Sequence, residues 1–159
     1  AKDAMVLHCS VLKVRSGVIL FSGPSGIGKS THADLWVKHR GARVINGDRT
    51  LLQKLGDRWM SLGWPICGSS EICHNESFPV KAIVFLDQSP ENGGMKCRYF
   101  DATKQLISQL TINAWNPSVV EKIWSMAEDL AAEVPVFYYH CNMEENAVDT
   151  LESLIHDVL

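Results

Sequence analysis

The sequence has no apolar run long enough to cross a bilayer, and no signal-peptide pattern opens it. Positive charge is also scarce, because 15 Lys and Arg stand against 18 Asp and Glu, which gives a net charge of −3. A broad basic surface for nucleic acid or anionic lipid is therefore not expected. We predict a cytoplasmic protein that binds neither nucleic acid nor a membrane.

Paired cysteine motifs are missing as well. The five cysteines are an odd number and none forms a C-x-x-C pair, so a disulfide framework is not expected and a reducing compartment fits better. Three cysteines adjoin histidines, at His8-Cys9, Cys73-His74 and His140-Cys141. A zinc site is the less favoured interpretation, because adjacent residues on a strand point to opposite faces.

The chain shows no internal repeat, linker or low-complexity segment. Its 159 residues, 46% hydrophobic and 21% charged, suit one globular domain spanning 1–159. The sequence begins with Ala1 rather than an initiator methionine, which is compatible with a missing upstream segment.

Residues Gly23 to Ser30 read GPSGIGKS, a complete phosphate-binding loop of the G-x-x-x-x-G-K-[ST] type. The loop follows the apolar run Val18–Phe21 and opens a helical pattern. Glycines let backbone N–H groups surround a phosphate, and the helix adds the positive end of its dipole. Lys29 is expected to reach the outer phosphates and Ser30 to bind Mg²⁺. The predicted nucleotide-binding residues are Gly23, Pro24, Ser25, Gly26, Ile27, Gly28, Lys29, Ser30 and Thr31.

The pattern along the chain predicts an α/β fold with a mixed sheet. A hairpin leads into the loop, a helix follows to Gly41, and a second hairpin surrounds Gly56-Asp57. A strong strand is predicted over 80–86 and another over 95–100. Helices are predicted from Asp101 to about Trp115, from Ser118 to about Glu133 and over 144–158, with Trp36, Trp115 and Trp124 in the core. Because hairpins interrupt the alternation of strands and helices, the sheet is not expected to be purely parallel.

A phosphate-binding loop needs a nearby carboxylate for magnesium, usually at the end of a buried strand. Asp87 follows the better apolar run, whereas Asp48 follows a shorter one but comes soon after the loop's own helix. Spacing alone does not choose between these two residues.

Several segments in order resemble the HPr kinase/phosphorylase-like family, protein-serine kinases whose nucleotide core is related to that of phosphoenolpyruvate carboxykinase. The resemblance covers about Leu7 to Gln88, and the helical remainder matches only loosely. It also suggests a compact branch that includes serine kinases of lasso-peptide and other modified-peptide biosynthesis. The matching segments are His8–Ser10, Ile19–Thr31, Gly41–Arg49, Trp64–Gly68, Asn75 and Pro79–Leu86.

The resemblance implies ATP or another phosphate donor, Mg²⁺, and a serine hydroxyl of a peptide or protein as acceptor. It favours Asp48 over Asp87, since the family carries two adjacent aspartates after its second strand and Asp48 matches the second. Asp48, His8 and Lys29 become the candidate catalytic residues, with Ser30 and Asp48 as metal ligands. Assembly with copies of itself is also implied, because relatives commonly form hexamers.

Two departures from the family pattern stand out. Gly47 occupies the position of the first aspartate, often assigned as the general base, and loss of a base typically slows a reaction about 10²- to 10⁴-fold. Ser69 follows Gly68 where relatives often place a lysine. Glu71 or His74 is a candidate substitute in acid–base chemistry, and Trp64 a candidate wall of the acceptor site.

Three functions follow from these residues. The leading one is an ATP- and Mg²⁺-dependent kinase acting on a hydroxyl, in particular a serine of a peptide or protein. The alternative is a catalytically weak nucleotide-binding module that docks on or regulates a partner. A small-molecule or nucleotide kinase is less favoured, because such enzymes need a lid with several arginines and only Arg98 follows Arg58.

Overall fold

A computed structural model describes residues 3–112 and 114–159, and at position 70 the backbone alone. The described residues form an α/β domain in which a mixed sheet has helices on both faces. The strands are β1 (Met5–Val14), β2 (Gly17–Ser22), β3 (Arg43–Asn46), β4 (Arg49–Leu55), β5 (Arg58–Leu62), β6 (Phe78–Gln88), β7 (Gly93–Lys96) and β8 (Val136–Cys141). The helices are α1 (Lys29–Arg40), α2 (Tyr99–Gln109), α3 (Pro117–Glu133) and α4 (Glu145–Leu154).

Strand β2 lies in the middle of the sheet, between β1 and β6. It pairs antiparallel with β1 and parallel with β6, which in turn pairs parallel with β8. The other pairings are antiparallel, so the predicted mixed sheet is confirmed. Both predicted hairpins, β1–β2 and β4–β5, are also present.

Strand β1 is long enough to serve two partners on the same side. Its second half pairs with β3, whereas Met5 to His8 pair with β4. In this register Cys9 stands opposite Ser22 and His8 stands opposite Arg49. The strand therefore brings His8 between the end of β2 and the turn that joins β3 to β4.

Strand β2 is buried throughout because apolar clusters cover both faces of the sheet. Leu20 belongs to the cluster covered by α2 and α3, and Ile19 and Phe21 belong to the cluster covered by α1 and α4. This alternation follows from the two-residue period of a strand.

Helix α2 and its neighbourhood differ from the prediction. The strand expected over 95–100 is instead β7, and α2 already begins at Tyr99. The helix ends at Gln109 rather than near Trp115, because Leu110 forms a bridge with Leu7 and the Thr111 N–H donates to the carbonyl of Val6. The chain thus leaves the helix to join the edge of β1.

Two of the three tryptophans predicted to lie in the core are exposed. Trp36 is buried, but Trp115 and Trp124 are 77% and 41% exposed. Trp115 lies in the turn before α3, and the buried face of α3 carries Ile123, Ala127 and Leu130 instead. The prediction of a core role for Trp115 and Trp124 was wrong.

The expectation that the cysteines stay unpaired is corrected for two of the five. Cys67 and Cys73 form a disulfide within the segment 63–75, with their Cα atoms 4.9 Å apart. Cys9 and Cys141 are buried thiols, as expected, and Cys97 is half-buried. None of the helices in the described part of the chain has the length and apolar content that a membrane crossing needs.

The basic residues around the end of α1 are largely paired with acids. Arg40 contacts Asp149 and Glu152 on α4, and Arg43 contacts Glu76. Acids on α4 and in the segment after β5 therefore offset much of the positive charge at this end of α1.

Candidate functional site

The loop Gly23–Ser30 connects the end of β2 to α1, as its sequence context predicts. Gly26 and Gly28 have φ of 81° and 110°, a region that favours glycine. Gly28 immediately precedes the helix, and its carbonyl accepts a hydrogen bond from the N–H of His32. The N-terminal end of α1 is therefore presented at the loop, where its dipole favours an anion.

The Lys29 side chain folds back across the loop. Its Nζ atom donates hydrogen bonds to the carbonyls of Gly23 and Pro24, each at 2.9 Å, and the residue is 8% exposed. Burial lowers the pKa of the Lys29 ammonium, which the negative charge of Asp48 partly offsets. The ammonium is thus held at the loop by neutral acceptors that a phosphate oxygen can replace.

Asp48 lies in the turn between β3 and β4, and the turn is built by Asn46. The Asn46 Oδ1 atom accepts hydrogen bonds from the N–H groups of Asp48 and Arg49, at 2.8 and 3.1 Å. The N–H of Cys9 donates to the carbonyl of Asp48 and ties the turn to β1. Asp48 Oδ2 accepts a hydrogen bond from Arg49 Nε at 2.6 Å, and Oδ1 lies 4.0 Å from His8 Nε2.

His8 stands between Asp48 and Lys29. Burial lowers the pKa of His8 below its ordinary value of 6.5, and the positive charge of Lys29 lowers it further. The charge of Asp48 and a hydrogen bond with Gln109 oppose this shift. At neutral pH the imidazole is therefore uncharged, which is the form that can accept a proton.

Lys29, Asp48 and His8 line one cavity of about 330 Å³. Gly23, Pro24 and Ile27 belong to the loop without lining the cavity. Gly23 and Pro24 hold Lys29 through their carbonyls, and Ile27 packs against the core. The cavity is lined by His8, Ser25, Gly26, Gly28, Lys29, Ser30, Thr31, Gly47, Asp48 and Ser69.

Asp87, the competing acid, has a different environment. It is exposed at the end of β6, where the Tyr138 hydroxyl donates to Asp87 Oδ2 at 2.8 Å. Its neighbour Gln88 donates from Nε2 to the carbonyls of Gly26 and Ile27. Asp48 therefore lines the cavity, whereas Asp87 is not among the described residues that line it.

The segment 63–75 covers the β3–β4 turn. Asn46 Nδ2 donates to the carbonyl of Ile66, and the N–H of Gly47 donates to the carbonyl of Ile72. Gly68, with φ of 61°, approaches so closely that an added Cβ would lie 2.6 Å from the Asp48 Cβ. Ser69, at the position where relatives often carry lysine, consequently lines the cavity.

A second cavity of about 340 Å³ shares Ser30, Gly47 and Ser69 with the first. Its lining also includes Ser10 and Asp34. Sequence reasoning did not single out Asp34, although a residue four positions after Ser30 occupies the same helix face. Trp64 is not among the described residues that line either cavity, and its indole N–H has no hydrogen-bond partner in the described structure.

The residues present suit a nucleotide with magnesium. The glycine loop leaves open space at Gly26, and Lys29, Ser30 and Asp48 share one cavity. Among residues 3–112 and 114–159, no group of three or more His, Cys, Asp and Glu side chains could by itself hold a metal ion. Ser30 and Asp48 would supply one or two oxygen ligands, the number that Mg²⁺ commonly takes from a protein while phosphates and water complete its shell.

The sequence matches no protein-family model and no curated protein. Among solved structures, the HPr(Ser) kinase/phosphatase from Coxiella burnetii superposes with a TM-score of 0.54 at 13% identity. The match covers 96% of this chain and 88% of the other.

The chain has an HPr kinase-like fold. At this identity the likeness shows a shared fold, and it extends over the helical part of the chain, where the sequence resemblance was loose.

Proposed function

We propose that the protein is an ATP- and Mg²⁺-dependent phosphotransferase that acts on a hydroxyl group, in particular a serine of a peptide or protein. The observation that carries the proposal is the single cavity in which Lys29, Ser30, Asp48 and His8 meet next to the phosphate-binding loop. The HPr kinase-like fold supports a kinase-type nucleotide core.

In this proposal the loop and Lys29 hold the β- and γ-phosphates, while Ser30 and Asp48 hold the metal ion. Bound Mg²⁺ supplies charge neutralisation at the phosphates. The serine oxygen forms a bond to the γ-phosphorus as the bond from that phosphorus to the β-phosphate oxygen breaks, and ADP leaves. Uncharged His8, or Asp48 beside it, takes the proton of the hydroxyl.

The missing first aspartate has a candidate replacement. Ser30, Gly47 and Asp34 all line the second cavity. We infer that Asp34, which lies on the same helix face as Ser30, contributes negative charge near the position where Gly47 replaces the acid. Since phosphoryl transfer depends mainly on positioning and charge stabilisation, turnover does not require an acid at position 47 itself.

The test combines binding and transfer. Calorimetry with ATP and Mg²⁺ measures binding, and labelled ATP with serine-containing peptides measures transfer. We expect Lys29→Met to weaken ATP binding about 10- to 100-fold, because a charge-assisted contact is lost. Asp48→Ala should reduce Mg²⁺-dependent binding and transfer, whereas the matched control Asp87→Ala should leave both largely unchanged. If no phosphate moves and Asp48→Ala binds nucleotide as well as the wild type, the assignment of Asp48 fails.

One observation favours the second function, a nucleotide-binding module with weak turnover, namely that Gly47 replaces the expected acid. Gly47→Asp discriminates between the two. A large gain of transfer would indicate a degraded site and support the module. An unchanged rate in an active protein would indicate that the natural site is already complete.

A further inference from the structure

A groove of about 680 Å³ lies between β7 and the first half of α2, away from the phosphate-binding cavity. Lys96, Arg98 and Lys104 line it, against the single acid Asp101. In the described structure none of these three cations forms an ion pair, whereas the exposed Arg40, Arg43, Lys54 and Lys122 do. A chain with a net charge of −3 thus carries a local positive surface.

The groove also has an apolar rim and an open strand edge. Met95, Tyr99 and Phe100 are 65%, 51% and 69% exposed, and the Lys104 ammonium lies 5.3 Å from the centre of the Phe100 ring. Strand β7 is paired on one side only, with β8, among the described strands. An open edge with nearby apolar side chains suits an extended peptide that adds to the sheet.

Helix α2 leads from this groove to the candidate active site. Lys104 and Gln105 line the groove, and one turn later the side chain of Gln109 lies near enough to His8 to raise its pKa. Leu110 then pairs with Leu7. From Asp101 to Gln109 the helix rises about 12 Å, a distance that about four residues of an extended peptide cover.

We propose that the β7–α2 groove binds an acidic, extended segment of the peptide substrate and thereby sets which serine is phosphorylated. The second part of this inference, the selection of the serine, rests on the proposed function. The acidic residues would contact Lys96, Arg98 and Lys104, and the acceptor serine would lie about four residues away, at the His8 end of α2.

Fluorescence anisotropy without nucleotide tests the docking step directly. The probes are labelled peptides with a central serine and glutamates about four residues from it, on either side, and the same peptides with glutamine. We expect tighter binding of a glutamate peptide, weakened by added salt. The triple variant Lys96→Gln, Arg98→Gln, Lys104→Gln should weaken this binding about tenfold, the combined effect of three exposed charge pairs.

Lys38→Gln, an exposed lysine on α1, is the control for loss of charge and should bind the peptide as the wild type does. Circular dichroism and ATP binding confirm that the triple variant is folded. Equal binding of glutamate and glutamine peptides, or an unaffected triple variant, would overturn the proposal. The proposal would also be overturned if the triple variant lost binding to an oligonucleotide or to anionic vesicles but still bound the glutamate peptide.

Turnover separates this inference from the proposed function. If phosphate is transferred, the triple variant should raise KM for the acidic peptide and leave kcat unchanged. Groove-dependent binding in a protein that transfers no phosphate would contradict the kinase proposal and retain the docking site. Transfer that is indifferent to the groove would contradict the docking site alone.

Discussion

At the scale of single residues, the charge state of His8 depends on burial and on three charged neighbours with opposed effects. Burial and the charge of Lys29 lower its pKa, Asp48 raises it, and Arg49 lowers it again. Asp48 and Arg49 are adjacent and joined by a hydrogen bond. The pair therefore offers two substitutions that should move the same pKa in opposite directions.

We expect Asp48→Asn to lower the pKa of His8 further and Arg49→Gln to raise it, because the first removes a nearby negative charge and the second a positive one. NMR titration of the imidazole C–H signals measures both shifts, and His8→Gln identifies the His8 resonance among the six histidines. Shifts of equal sign in the two variants would show that these charges do not control His8.

The lowered pKa of His8 determines how phosphate transfer is expected to depend on pH. Because the pKa of His8 lies below 6.5, the imidazole is already uncharged at neutral pH and becomes charged only as the pH falls through that lowered value. If His8 takes the proton of the acceptor, the rate should stay level around neutrality and decrease on acidification. In Arg49→Gln the decrease should begin at a higher pH.

At the scale of elements, the segment 63–75 determines how closely the site is covered. Gly68 and Gly56 have nearly equal φ, 61° and 65°, yet an added Cβ meets Asp48 at Gly68 and open space at Gly56. Alanine in this conformation costs about 1–2 kcal/mol at either position. The two glycines therefore separate backbone strain from contact with the site.

We expect both Gly68→Ala and Gly56→Ala to lower the free energy of unfolding, Gly68→Ala by more because its methyl group also meets Asp48, and only Gly68→Ala to weaken Mg²⁺-dependent ATP binding. The extra methyl group must push the segment away from Asp48. Urea denaturation measures the first effect and calorimetry the second. Equal ATP affinities for the two variants would mean that the cover over Asp48 has no part in nucleotide binding.

Local features of the sequence were predicted well, and pairings between distant segments were not. The strand–loop–helix arrangement around Gly23–Ser30 and both hairpins follow from neighbouring residues, as does the burial of β2. The early end of α2 could not be predicted, because it depends on the bridge between Leu110 and Leu7. The meeting of Gly68 with Asp48 and the approach of Asp34 to the second cavity likewise depend on how strands and loops pack.

At the scale of the whole molecule, the sheet joins two apolar clusters rather than bounding one. Leu20 and Ile19 are adjacent on β2 and fully buried, yet they belong to opposite clusters. Strand β2 also holds the phosphate-binding loop and pairs with β1 and β6. Loss of packing on either face should therefore lower the stability of the whole described chain.

The prediction of one domain over 1–159 gains a direct test from this arrangement. Leu20→Ala and Ile19→Ala should each lower the free energy of unfolding by about 2–5 kcal/mol, the usual cost of such a truncation in a core. In one cooperative domain, circular dichroism and tryptophan fluorescence should report the same urea midpoint for each variant. Distinct midpoints, with each substitution affecting only one of them, would mean that the two clusters unfold separately. Coincident midpoints would instead tie the phosphate-binding loop to the stability of both faces, since the strand that precedes it belongs to each.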